Sequence, residues 1–282
     1  MAIRTVPHER LRIEPGPVSR RIERFIAGTV RGHFGFDKVV VGLSGGVDSA
    51  TVAVLASRAL GAHNVVALRL PYRDLARADV QRAERLVETL GLPGEIIDVG
   101  PIVDAYARTR STMDWHRRGN VQARARMLVQ FDLMAELQAF PIGTGNKSES
   151  LLGYFTEHGD DAPKIEPLGD LFKTQVWQLA EHLGLPDEVI EAAPSAGLEP
   201  DQTDEGDFGM AYRTIDLVLV HMEAGCDDVE IRGLGVPQQQ IDAVRARVLA
   251  THRKRLPTLF PQLQDVPADP LRYLSGASDS TG

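Results

Sequence analysis

Ser44-Gly45-Gly46-Val47-Asp48-Ser49 separates an apolar, β-branched run (38–43) from a stretch of helical periodicity (49–60). Gly45 and Gly46 carry no Cβ, so the backbone can curl tightly and turn its N–H groups onto an anion. The helix that follows presents its positive end to the same point, and Ser44 and Ser49 add hydroxyl donors. Such a loop binds phosphate, but the lysine that grips the β and γ phosphates in the common phosphate loop is missing. Asp48 would repel a bare phosphate and makes sense where a divalent cation lies between the two. The pattern points to magnesium-bound pyrophosphate held as a leaving group, with attack at the α-phosphorus of a nucleotide. The plain alternative is a Gly-Gly turn whose helix is capped by Asp48 or Ser49.

Two further stretches carry polar residues in useful places. In "GNVQARARM" (119–127) Asn120 and Arg124 lie four residues apart and share a helical face, and Arg126 follows. Such a face can hold a carboxylate or a phosphate, or simply be solvated. In "GTGNKSESLLGYFTEHGDD" (143–161) Thr144 falls at the end of a strand and Glu149 just inside a helix. Glu149 is a candidate second carboxylate for the cation suggested by Asp48, and otherwise an acidic residue at a helix start. Cys226 has no activating neighbours in "HMEAGCDDVE" and reads as inert. Trp177 shares an apolar helical face with Phe172, Val176 and Leu179 or Ala180 and reads as core.

The elements that must position these groups follow from periodicity and punctuation. Helices are expected over 18–34, 49–60, 78–90, 120–138 and 171–186, and strands over 38–43, 64–71 and 95–100, with 140–146 a fourth strand followed by a polar turn and a mainly helical remainder. This order is that of an α/β fold: a doubly wound parallel sheet flanked by helices, with a helical C-terminal part. Ligands of such sheets sit outside the carboxyl ends of the strands, so the turns after Leu43, Leu70 and Ile142 are expected to share one site. A single domain over 1–282 is expected, with its core at about 18–257 and a frayed tail at about 275–282.

The bulk numbers exclude several classes. The chain has 282 residues, 43% of them apolar, a formal net charge of −8 and one cysteine. It is not built to coat nucleic acid or an anionic membrane, and no intrachain disulfide is possible, which fits a reducing compartment. The first residues lack the apolar region of a signal peptide, and no run reaches the 18–20 apolar residues, roughly, of a membrane span. A soluble cytoplasmic protein is expected.

"SGGVDS" resembles the signature of the ATP pyrophosphatases, which activate a substrate by adenylylation. With "GNVQARARM", "GTGNKSE", "GYFTEHGD", "LFKTQVWQLAEHLGLP", "PSAGL", "YRTIDLVL" and "HRKRLP" in the same order, residues 20–257 resemble the NAD synthetase family. The resemblance implies a magnesium-dependent ligase that joins ammonia to the nicotinate carboxylate of deamido-NAD through an acyl-adenylate. It implies that Gly42, Leu43, Ser44, Gly45, Gly46, Val47, Asp48 and Ser49 bind the phosphates of ATP and that Asp48 and Glu149 hold magnesium. Thr144, Lys173 and Ser195 would complete the ATP site, with Leu68 and Arg69 near the adenosine. Asn120, Arg124, Glu157, Lys164, His252 and Arg253 would face deamido-NAD, and Asp160 is a candidate base for ammonium. Glu157 and Lys164 stand where the family usually has lysine and aspartate, so either the two form a reversed salt bridge, or the dinucleotide is held differently, or the substrate is not deamido-NAD. A homodimer is expected through the helix at 120–138, which carries Val121, Met127, Leu128, Phe131 and Met134. A fused glutaminase of the thiol type would need a nucleophilic cysteine and a further domain, so free ammonia is the expected donor. The rival readings are another ATP pyrophosphatase that amidates or thiolates a different substrate, and a non-catalytic nucleotide sensor.

Overall fold

The structure is a computed structural model describing residues 8–73, 77–199, 202–259 and 261. Strands β1 (Lys38–Gly42), β2 (Val65–Arg69), β3 (Gly94–Ile96) and β4 (Ala139–Ile142) form one sheet in the order β3-β2-β1-β4. All neighbours run parallel, and Val40 faces Val66 on one side and Pro141 on the other. Pro141, with no N–H to donate, sits on an edge strand, where it is tolerated.

The described helices are α1 (Pro15–Ala27), α2 (Val47–Leu60), α3 (Arg77–Leu90), α4 (Gly100–Ala107), α5 (Trp115–Leu137), α6 (Lys147–Leu152) and α7 (Lys173–Leu183). They continue with α8 (Asp187–Ile190), α9 (Asp204–Phe208), α10 (Tyr212–Glu223), α11 (Asp228–Gly233) and α12 (Gln238–Ala250). Side chains alternate across the sheet. Val39, Val41, Ala67 and Ile142 enter one core with α1, α2, α7 and α10, while Val40, Val66, Leu68 and Ala139 enter a second with α4 and α5. Val39, Val40 and Val41 are fully buried, as a strand covered on both faces must be. Trp177 is core, edge-on to Tyr212 with ring centroids 6.3 Å apart.

The doubly wound parallel sheet and the helical C-terminal part match expectation; several boundaries do not. The first helix starts at Pro15, because proline suits the first helical turn, and passes into a π-helical turn at Gly28–His33. The third strand is reduced to Gly94–Ile96, and α4 takes up the chain from Gly100. The long helix begins at Trp115, capped by the Asp114 carboxylate on the Arg117 N–H at 2.7 Å. Asn120 therefore lies inside that helix. On its outer face Leu128 and Phe131 are 53% and 38% exposed, whereas Val121 and Met134 pack against the two cores.

A buried carboxylate ties the chain between β4 and α7 to the C-terminal helices. Asp216, on α10, accepts the Ser148 hydroxyl at 2.5 Å and the Thr174 N–H at 2.8 Å, and Ser148 Oγ accepts the Lys173 N–H at 2.9 Å. Asp216 thus locks the first turn of α7 to α6, and its burial raises its pKa to about 6. Asp216→Ala strands two buried donors at about 1–3 kcal/mol each. In a chain of this size roughly 2–4 °C of Tm corresponds to each kcal/mol. Calorimetry is expected to show a clear fall in Tm for Asp216→Ala and a smaller one for Asp216→Asn.

Candidate active site

The turns after Leu43, Leu70 and Ile142 open onto one cavity of about 770 Å³ at the carboxyl edge of the sheet. Its floor is the glycine loop. Ser44 N–H donates to Ser49 Oγ at 3.2 Å, the two hydroxyls meet at 3.0 Å, and Ser49 Oγ donates to the Gly46 carbonyl at 3.2 Å. Gly45 has φ +89°, and a Cβ there would lie 2.1 Å from the Asp79 carbonyl oxygen of α3. Arg82, also on α3, pairs with Asp79 and donates to the Gly45 carbonyl at 3.2 Å. The first turns of α3 thus rest directly on the loop. No side chain caps α2, so neither Asp48 nor Ser49 serves as its cap.

Asp48 instead points across the cavity. Its Oδ1 accepts from Asn146 Nδ2 at 3.0 Å, and its Oδ2 forms an ion pair with Lys173 Nζ. Asn146 caps α6 reciprocally: its Oδ1 accepts the Glu149 N–H at 3.0 Å, and Glu149 Oε2 accepts the Asn146 N–H at 3.2 Å. Glu149 Oε1 then lies 3.5 Å from Lys173 Nζ. Burial works against the charge on Lys173, but Asp48 and Glu149 outweigh it and hold its pKa above the ordinary lysine value. Burial lifts Glu149 to about 8, with Lys173 opposing and Asp48 adding to the rise. Asp204 lines the same wall, with its Oδ2 accepting the Tyr212 hydroxyl at 3.0 Å.

The opposite wall is basic. Asn120 Oδ1 accepts the Thr156 hydroxyl at 2.9 Å, Arg124 Nε donates to the Glu157 carbonyl at 3.1 Å, and Arg126 Nε donates to the Leu70 carbonyl at 3.0 Å. Glu157 pairs with Arg253 at 2.8 Å and no ion pair joins it to Lys164, so of the readings open for these two positions the reversed salt bridge is not the one formed. Six residues lie between Glu157 and Lys164, and the chain there folds through turns at 157–161, while the last 3-10 turn (His252–Arg255) brings Arg253 alongside. Asp160 accepts the Thr156 N–H at 2.9 Å and lines the cavity. The protein mass around it pushes its carboxyl above the usual range.

Leu43, Ser44, Gly46, Leu68, Arg69, Thr144 and Ser195 line the cavity too, while Lys164 and His252 do not. Arg69 is buried, and its Nε has no hydrogen-bond partner. The basic run 252–255 is divided: Arg253 and Lys254 both line the cavity, Lys254 also donating to the Gly153 carbonyl at 2.7 Å, whereas Arg255 donates to the Leu151 carbonyl at 2.8 Å. Sequence reasoning gave no role to Asn146, Asp204 or Glu166. The Asn-x-x-Glu spacing of a capping box could have revealed Asn146; the other two depend on contacts between distant segments.

Asp48 and Glu149 converge on one cation, the Lys173 ammonium, which shows that the pair is placed to share a positive charge. Among the described residues no group of three or more His, Cys, Asp or Glu side chains forms a metal site. Two carboxylates with phosphate oxygens are nonetheless a suitable donor set for magnesium, which is rarely caged by protein alone.

A parallel sheet with an aspartate-bearing glycine loop at its carboxyl edge, opposite a second carboxylate and a buried lysine, places the chain among the nucleotide-handling α/β proteins. The NAD synthase profile matches residues 18–258, and the chain belongs to that family. It is 42% identical to the NH(3)-dependent NAD(+) synthetase of Chlorobaculum parvum over 265 residues, covering 93% of this chain and 95% of that one. Among solved structures, the NMN synthetase of Francisella tularensis superposes with TM-score 0.79 at 32% identity, covering 89% of this chain and 100% of that chain. The NH3-dependent NAD synthetase of Campylobacter jejuni does so with TM-score 0.75 at 31% identity, covering 89% and 100%. The chain matches 48% of the glutamine-dependent NAD+ synthetase of Acinetobacter baumannii, with TM-score 0.62 and 25% identity over 89% of this chain.

Glu166 supports the site from behind. Its Oε2 accepts the Gly145 N–H at 2.8 Å, and a Cβ on Gly143 would lie 2.0 Å from its Oε1. Burial raises its pKa to about 8. A carboxyl with a raised folded pKa contributes stability in full below its unfolded pKa, about 4.3. That contribution is lost as the pH climbs to about 8. Glu166→Gln, always neutral, is expected to flatten the fall in Tm over that window and to raise Tm above the parent's at pH 8.5, read by calorimetry across pH.

Proposed function

We propose that this chain converts deamido-NAD to NAD with ATP and ammonia, releasing AMP and pyrophosphate. The observation that carries the reading is the convergence of Asp48, Glu149 and Lys173 beside the glycine loop. A carboxylate is a poor acyl donor, because oxide is a poor leaving group. An oxygen of the nicotinate carboxylate attacks the α-phosphorus of ATP, the bond to the bridging oxygen breaks, and pyrophosphate leaves. Ammonia then attacks the carbonyl carbon of the acyl-adenylate, AMP departs, and a proton is lost from nitrogen.

The loop N–H groups and the start of α2 face the charge that develops on pyrophosphate. Lys173 adds an ammonium fixed by the first turn of α7. Asp48 and Glu149 would hold magnesium, which when bound neutralises the phosphate oxygens. Thr144, Ser195, Leu68 and Arg69 complete the nucleotide half. Asn120, Arg124 and Arg253 face the dinucleotide, with Glu157 holding Arg253 in place. Asp160, whose carboxyl burial pushes above the usual carboxylate range and which lines the cavity, is the candidate base for ammonium. Free ammonia is the donor, as in the names of the curated relatives that the chain matches nearly end to end. The exposed Leu128 and Phe131 on α5 suit a homodimer. No described helix is long and apolar enough to cross a membrane.

Incubation of the purified protein with ATP, magnesium, ammonium and deamido-NAD is expected to give NAD, AMP and pyrophosphate; ADP with orthophosphate would refute the reading. The Francisella relative makes NMN the second product to seek, from the corresponding mononucleotide acid. Lys173→Ala is expected to lower kcat about a hundredfold or more while shifting KM for the acid little. Equal losses in both would contradict a role confined to the transition state.

A further inference from the structure

The two carboxylates assigned to magnesium are already in use. Lys173 Nζ is bound to Asp48 and lies 3.5 Å from Glu149 Oε1, with only 3% of its side chain exposed. A divalent cation cannot share that position with an ammonium, because like charges at contact distance repel strongly in so enclosed a place. When the cation enters, the ammonium has to move to another anion close by, a phosphate oxygen of the nucleotide or a further carboxylate of the protein. The Tyr212 ring lies beside Lys173, its centroid 5.3 Å from Nζ. At the far end of that ring the hydroxyl donates to Asp204 Oδ2 at 3.0 Å.

Asp204 has the attributes of that second anion. It is 3% exposed and lines the same cavity. Its N–H donates to the Pro194 carbonyl at 2.9 Å, so the residue is fixed from the main chain as well. Its Oδ1 is fully buried and has no hydrogen-bond partner. A buried carboxylate oxygen without a donor is uncommon and costly, and calls for a specific cause. No ion pair joins Asp204 to Lys173 in the arrangement seen, yet the two are near enough for the lysine to oppose the upward effect of burial on the Asp204 pKa.

We propose that Asp204 is the alternate counter-ion of Lys173: its free Oδ1 receives the ammonium when a divalent cation displaces it from Asp48 and Glu149. Asp204 is then a positioning residue, acting through Lys173 rather than on the substrate. The exchange keeps Lys173 charged and inside the site, where it faces the pyrophosphate beside the metal instead of competing with it. The idea rests on the proposed function only in taking Asp48 and Glu149 as the cation's ligands.

The test is a double-mutant cycle on the full chain, with Mn²⁺ as a paramagnetic probe and a non-hydrolysable ATP analogue present. Mn²⁺ affinity is read by electron paramagnetic resonance for the parent, Asp204→Asn, Lys173→Met and the double variant. Asp204→Asn is expected to weaken Mn²⁺ binding about tenfold, because the ammonium stays on the metal's ligands. In the Lys173→Met background the same change should alter affinity less than about twofold, since nothing remains to be relocated. Equal weakening in both backgrounds would make Asp204 a direct ligand or a general negative charge and overturn the proposal, as would no weakening at all. A crystal structure of the parent with magnesium and the analogue decides the matter even if a variant does not fold. Lys173 Nζ within hydrogen-bond reach of Asp204 supports the exchange; Lys173 still on Asp48 beside the metal overturns it. A parent that makes NAD yet shows equal weakening loses only this proposal. A parent that binds no Mn²⁺ loses the cation assignment as well.

Discussion

One buried ammonium organises this protein. Lys173 sits on two carboxylates from different parts of the chain, and each would be expensive to bury without it. The cost of taking these groups out of water is offset by the ion pair and by Asn146, whose side-chain amide donates to Asp48 and whose N–H donates to Glu149. Asp216 secures the same turns from behind without touching the cavity. The cluster is therefore as much a structural joint between the sheet edge and the C-terminal helices as a reactive group.

The cavity has a corresponding polarity. Asp48, Glu149 and Asp204 give one wall its acid, and Arg124, Arg126 and Arg253 give the other its base. Walls of opposite sign within one cavity can fix which end of each of two charged reactants faces the other, a large part of what a bimolecular ligase must do.

Much of this was legible in the sequence, and the reasons are local. Ser44 to Ser49 announce a phosphate loop because glycine geometry and helix polarity are properties of a few consecutive residues. β1 and β2 could be read because a parallel strand buried on both faces needs an unbroken apolar run. The third strand was legible but not its short extent, and α4 was missed, because "EIIDVG" carries apolar residues that serve a strand and a helix start equally well. The partner of Glu157 was missed for a different cause. Lys164 is close in sequence but Arg253 is close in space, and charge pairing between distant segments leaves no local pattern. Asp204 and Glu166 acquire meaning only from burial, which the sequence does not print.

The short helix that carries Glu149 is held at both ends. Asp48 is bound to its cap at one end, and at the other Arg247, Lys254 and Arg255 close its last carbonyls and those of the turn that follows. Those closing residues are among the last that the structure describes. During synthesis, then, the carboxylate pair cannot be finished when residue 149 emerges from the ribosome, nor when α7 follows. About a hundred further residues must be made before the helix gains its second support. A nascent chain of this protein carries its sheet long before it carries its chemistry.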